Sequence, residues 1–178
     1  MPVHVKHHCC WIASIFLVSL ATTGMARAAD VQVRAAEIVG YGLFESKASE
    51  HSKGDTTESP RADAVKGVRF LEYTNEIPGA IGASFGFQYV VNSSPRGAVL
   101  DVTNVIRFPG DGLQRPNGRS WSESREDRQI RIGERDFYGY AFDEEWEIIP
   151  GEWVFEVWHK DARLIKKTFT VLPQDEAS

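Results

Sequence analysis

Residues 150–171 read PGEWVFEVWHKDARLIKKTFTV. Pro150-Gly151 is a turn dipeptide. After it Trp153, Phe155 and Val157 take every second position with Glu156 between them, so an extended chain puts the three apolar side chains on one face. His159-Lys160-Asp161-Ala162 breaks the alternation, and Ile165, Phe169 and Val171 resume it. A helix would scatter these side chains around its axis, whereas two antiparallel strands joined by a short turn bury both sets together. The stretch therefore reads as a β-hairpin.

The same period of two recurs upstream. Val31, Val33 and Ala35 alternate with Gln32 and Arg34, and the run continues to Tyr41. A second strand is expected over 65–73. Phe85, Phe87, Tyr89 and Val91 form an aromatic face, and Leu100, Val102, Asn104, Ile106 and Phe108 follow the same rule. With a short strand over 138–142, the count is about seven. Convincing helical spacing is absent from this part of the chain. Seven short strands separated by turns point to an all-β, antiparallel immunoglobulin-like β-sandwich, with a small β-barrel as the alternative that periodicity does not separate from it.

Two polar segments, 45–64 and 110–136, exceed the ~12–15 residues usual for a loop without structure of its own. They read as long solvated loops, the second of which a rigid sandwich could present to a partner. Within it Ser120-x-x-Glu123 and Ser124-x-x-Asp127 resemble capping boxes, which predicts a short helix over 123–132.

At the N-terminus Lys6 and three histidines precede an apolar run over 11–21, and Ala26-Arg27-Ala28 has the small residues of a signal-peptidase site. Residues 1–28 are expected to be an export signal, leaving 29–178 as one domain in the periplasm or outside the cell. The run is too short to span a bilayer needing about 20 residues, so no stable membrane insertion is expected after cleavage. Both cysteines, Cys9 and Cys10, go with the signal, and the remainder must be held by an ordinary core without disulfides or thiolate metal sites. Removing Lys6 and Arg27 leaves 18 basic residues against 25 acidic ones, a net charge of −7. That sign argues against nucleic acid as a partner.

An ordered series of short motifs adds a family. Ile38-Val39-Gly40-Tyr41-Gly42 is followed by Ile77-Pro78, Gly82, Phe85-Gly86 and Phe108-Pro109-Gly110. Then come Gly139-Tyr140-Ala141-Phe142, the run from Trp146 through Pro150-Gly151 to Glu156, and Thr168-Phe169-Thr170-Val171. In this order they resemble the bacterial domain-of-unknown-function family 3859. The resemblance implies an all-β, often exported domain, and it brings no activity, cofactor or catalytic residue with it.

Chemistry has little to stand on. Gly82-Ala83-Ser84-Phe85-Gly86 fits the hydrolase pattern G-x-S-x-G, with Asp143 and His159 downstream, but that pattern works on a strand-to-helix turn and residues 85–91 read as strand. His51 and His159 fall in a polar segment and a hairpin turn, and Asp143-Glu144-Glu145 reads as a solvated acidic turn rather than a cation site. No catalytic residues, cofactor or metal are expected. Aromatic residues carry more weight: Trp153 shares the core face of its strand, whereas Trp158 points the other way. Trp121, Tyr140 and Trp158 are the candidate binding residues. The expected function is a non-catalytic interaction domain for a protein or envelope component. A carbohydrate-binding module using exposed tryptophans is the alternative, and a hydrolase through Ser84 the third reading.

Overall fold

A computed structural model describes residues 33–46 and 67–174. Residues 1–28, expected to be an export signal, and almost all of the 45–64 segment, His51 included, lie outside the described residues.

The strands that period two predicts are present. They are β1 (Val33–Ser46), β2 (Val68–Glu72), β4 (Ser84–Ser93), β5 (Val99–Arg107), β9 (Arg135–Ala141), β10 (Gly151–His159) and β11 (Ala162–Val171). Between them run β3 (Glu76–Ile77), β6 (Leu113–Gln114), β7 (Ser120–Trp121) and β8 (Glu123–Arg131). One sheet has the order β2-β1-β4-β9, the other β3-β11-β10-β5-β8, and β6 and β7 form a small hairpin. Pairing is antiparallel except where β3 runs parallel to β11. Two separate sheets make this a sandwich rather than a closed barrel.

The alternating residues meet between the sheets. Phe85 of β4 lies 5.8 Å from Trp153 and 5.7 Å from Phe155 of β10, and 5.4 Å from Phe169 of β11, with the rings close to perpendicular. Edge-to-face pairs of this kind are worth about 0.5–1.5 kcal/mol each beyond the area they bury. Phe87, Tyr89 and Val91 continue the face along β4, and Phe142, Val157 and Val171 close it, all fully or almost fully buried.

Residues 110–136 depart from expectation. They are not one long loop but hold β6, β7 and β8, and residues 123–131 form a strand instead of the predicted helix. The capping signals at Ser120 and Ser124 are local and worth roughly 1 kcal/mol apiece. Against them, β5 offers an open edge along which every residue from Glu123 to Arg131 finds a partner. Ile130 and Ser124 are the buried side chains of β8, so this edge strand lacks the apolar alternation that marks the others.

One inward position of β5 breaks the apolar rule. Asn104 is fully buried, and neither its amide nitrogen nor its carbonyl oxygen has a hydrogen-bond partner among the described residues. The buried hydroxyl of Tyr89 likewise lacks one. An unmet buried polar group costs about 1–3 kcal/mol. Asn104→Leu is therefore expected to raise stability by roughly 1–2 kcal/mol in urea denaturation. A fall instead means that water meets the amide inside the sandwich.

Candidate functional site

The site is built where the core closes at one end of the sandwich. β5 leads through Phe108-Pro109 into β6, and the chain returns through β7, with Leu113 opposite Trp121. Between them Arg115-Pro116-Asn117-Gly118 is a tight turn. Its Gly118 N–H donates to Arg115 O at 2.9 Å, the Arg115 N–H donates to Arg119 O at 2.8 Å, and the Arg119 N–H donates to the Asn117 side chain at 3.2 Å. Gly118 sits at φ +84, which glycine adopts without strain. Leu113 is buried, so the base of the hairpin is pinned to the core.

A second segment meets this hairpin. After β9 the chain makes a single 3-10 turn at Glu145–Glu147. The Glu147 carboxylate organises it: the N–H groups of Asp143 and Glu144 donate to one oxygen at 2.7 and 3.0 Å, and the Tyr140 hydroxyl donates to the other at 3.0 Å. Burial pushes the Glu147 carboxyl up, against those three donors, which pull it down. Burial also raises the Tyr140 phenol, with the Glu147 charge adding to the rise and the Arg115 charge opposing it.

Arg115 joins the two segments. Its guanidinium carbon lies 5.3 Å from the Trp121 ring centroid and 5.4 Å from that of Trp146, within the ~6 Å of a cation–π contact. Both indoles are half-buried against the core, so they hold the guanidinium from fixed positions.

Two of the three residues expected to bind thus come together here, in different roles. Trp121 is half-buried and reachable. Tyr140 is 6 % exposed and ring-packed against Trp153 at 5.0 Å, so it is not an exposed anchor. The alternation that made it a strand residue also turns it inward, where its hydroxyl supports the turn. Arg115 and Glu147 are the residues that the sequence reading missed. The dipeptide pair Pro116-Asn117 and Gly118, between short polar flanks, is a hairpin signal that marked the tip.

Trp158 stands elsewhere, on the outer face of the five-stranded sheet. Its Nε1 donates to Glu156 at 3.0 Å, and the Arg163 guanidinium lies over its ring at 5.8 Å. Glu156 is 3 % exposed and also accepts from Arg107 at 3.3 Å and Arg163 at 2.9 Å. Arg107 in turn meets Glu123, which binds Arg125. Burial raises the Glu156 carboxyl, but the Trp158 and Arg163 hydrogen bonds and the Arg107 and Arg163 charges outweigh it, and the net shift is downward. A carboxyl lowered on folding adds stability above its unfolded value near 4.5 and loses it as pH falls through the folded value. With both arginines nearly half exposed, the net worth is about 1 kcal/mol. Glu156→Gln is therefore expected to be less stable than the parent at pH 7, with the gap closing at a pH below the folded value. Urea denaturation at the two pH values reads it.

An open groove of about 500 Å³ lies beside Trp158, lined by Asp101, Thr103, Asp127, Gln129, His159 and Lys160 among others. Its side chains satisfy one another. Thr103 donates to Asp127 at 2.7 Å, Gln129 donates to Asp101 at 2.9 Å, and His159 Nδ1 sits 2.7 Å from Asp101 O.

The hydrolase constellation is not assembled. Ser84 opens β4 of the four-stranded sheet, and its hydroxyl donates to Gly82 O at 3.4 Å. His159 ends β10 of the other sheet and is held by Asp101. No strand-to-helix turn follows Ser84, because Phe85 continues the strand into the core. Asp143, Glu144 and Glu145 are exposed, and no group of three His, Cys, Asp or Glu among the described residues is placed to hold a metal ion. Among the described residues no helix is long and apolar enough to cross a membrane.

Residues 32–171 match the family described as Domain of unknown function (DUF3859). The chain belongs to that family. Among solved structures, this DUF3859 chain is similar to an immunoglobulin-like protein from Pseudomonas aeruginosa, at 24% identity and a TM-score of 0.58, over 81% of this chain and 98% of that one. That likeness shows the immunoglobulin-like fold. Two partial similarities carry no argument. One is to a Pseudomonas fluorescens alkylpurine DNA glycosylase bound to abasic-site DNA, at 16% identity and a TM-score of 0.38, over 56% of this chain and 28% of that one. The other is to a Bifidobacterium adolescentis GH3 beta-glucosidase, at 18% identity and a TM-score of 0.31, over 56% and 17%. No curated protein matches this DUF3859 chain.

Proposed function

We propose that this DUF3859 chain is an exported, non-catalytic interaction domain that meets a protein or envelope component through the hairpin end of its sandwich. The observation that carries the reading is Arg115 held against Trp121 and Trp146 at the tip of a pinned hairpin. Arginine and tryptophan are the residue types that dominate contact energies at protein interfaces, and a side chain already ordered in the free protein loses little entropy on binding. Export is supported by the charged start, the apolar run over 11–21 and Ala26-Arg27-Ala28.

Crosslinking in intact cells tests both parts. The parent is expected in the envelope or medium with Ala29 or Asp30 as its first residue, joined to a discrete partner that Trp121→Ala no longer captures. Retention in the cytoplasm with residues 1–28 attached, or equal capture by Trp121→Ala, overturns it. Turnover of esters or glycans by the purified protein, abolished in Ser84→Ala, would replace it with enzymology.

A glycan is the second reading, favoured by the partial exposure of Trp121, Trp146 and Trp158. A sugar ring needs an open indole face, and here a guanidinium takes a face of each. Titration with oligosaccharides to millimolar concentration, followed by tryptophan emission, is expected to show no change.

A further inference from the structure

Most arginines in the described residues whose contacts are resolved meet a carboxylate or a carbonyl. Arg69 pairs with Glu45, Arg107 with Glu123 and Glu156, Arg128 with Asp136 and Arg163 with Glu156, while Arg96 and Arg131 bond backbone oxygens. Arg115 does neither. Its guanidinium has two indole rings for company and no carboxylate within ion-pair distance among the described residues. The buried acid of the adjoining turn, Glu147, already accepts three hydrogen bonds from Tyr140, Asp143 and Glu144. An acidic chain of 25 Asp and Glu against 20 Lys and Arg thus leaves this cation to rings.

A guanidinium that meets rings and no carboxylate or carbonyl keeps N–H donors to offer, in a fork that matches two oxygens of one anionic group. The tight Arg115-Pro116-Asn117-Gly118 turn fixes the Cα from which the side chain starts. Resting on the reading above, we infer that Arg115, braced by Trp121 and Trp146, receives a carboxylate of a protein partner. Two observations select a carboxylate over a phosphate group. The flanking indoles suit the apolar surround of a side chain in a protein interface. The exposed Asp143, Glu144 and Glu145 on the adjoining turn repel a dianion about twice as strongly as a single negative charge.

The test follows tryptophan emission of the purified protein against three probes at constant ionic strength: a capped peptide carrying one glutamate, its glutamine counterpart, and inorganic phosphate. The expected result is a saturable shift with the glutamate peptide alone. Arg115→Gln weakens it by about 10- to 100-fold, the range for a charge-assisted pair. Arg115→Lys, which keeps the charge but not the fork, falls between. Trp158→Phe leaves the shift in place, and Arg115→Gln melts with the parent, since the side chain is exposed. Equal binding by the glutamine peptide, tighter binding of phosphate, or an undiminished shift in Arg115→Gln overturns the inference. The two claims fail separately: if partner capture in cells survives Arg115→Gln but is lost in Trp121→Ala, the hairpin end remains the contact and the carboxylate does not, whereas equal capture by Trp121→Ala overturns the underlying reading.

Discussion

Trp153→Ala is expected to destabilise the domain by about 3–5 kcal/mol and lower Tm by roughly 10–20 °C. Trp153 is fully buried, with ring centroids of Tyr140 and Phe108 at 5.0 Å, Phe142 at 5.5 Å and Phe85 at 5.8 Å. Truncation removes transfer energy and leaves a cavity among rings that belong to both sheets, so the surround cannot collapse onto it without moving a sheet. The indole has a second duty. Its Nε1 donates to Ile149 O at 2.9 Å and so ties the segment carrying Trp146 and Glu147 to the core. Trp153→Phe keeps most of the volume but loses that bond, and about 1–3 kcal/mol is expected from it. Denaturant midpoints of the two variants separate packing from tethering; an alanine variant within 1 kcal/mol of the parent contradicts the packing.

Gly42→Ala is the second large effect, expected at about 2–5 kcal/mol from backbone strain and overpacking together. Gly42 has φ +128, a conformation closed to side chains, and a Cβ there falls 2.0 Å from Glu72 O and 2.9 Å from Thr74 N. Both obstacles are backbone at the end of β2, so no rotamer change relieves them. The position stands opposite Gly86 of β4, beside a register shift between Leu43 and Phe44 that lets β2 close over β1. Gly118→Ala is the control: φ is +84 but nothing lies within 4 Å of the Cβ, so only strain of about 1–2 kcal/mol remains. Chemical denaturation of the pair is expected to show the Gly42 variant clearly the weaker; equal losses refute the close approach.

The family motifs gain physical content from these positions. Gly42 is where backbone at the end of β2 presses close to β1, Trp153 and Phe155 are core, and Glu156 anchors the ion network on the opposite face of the same strand. Tyr140 and Trp146 serve the turn at Glu145–Glu147, one from within the core and one from its rim.

Much of the sandwich was legible because a strand buried on one face writes that face into every second residue. Phe85, Phe87, Tyr89 and Val91 did so, as did Trp153, Phe155 and Val157, and each is buried. β8 was not legible. It is an edge strand paired on one side to β5, with Glu123, Arg125, Asp127, Gln129 and Arg131 facing outward, so charge alternates where apolarity does elsewhere. Its serines offered helix caps that the chain does not use. The site divides the same way: Trp121 stood out as an aromatic in a polar stretch, whereas the inward turn of Tyr140 and the meeting of Arg115 with Trp146 did not.

What the chain determined by itself is the set of alternating faces and the turns between them, because side-chain direction in an extended strand follows from backbone geometry over a few neighbouring residues. The tertiary structure alone decided which edge β8 would join, and that Arg115 on one hairpin and Trp146 on a later turn would share a guanidinium. Those contacts join segments about thirty residues apart or, for β8, reward an edge that exists only once β5 is in place. Their energy comes from closing the sheets around a common core, and no local pattern carries it.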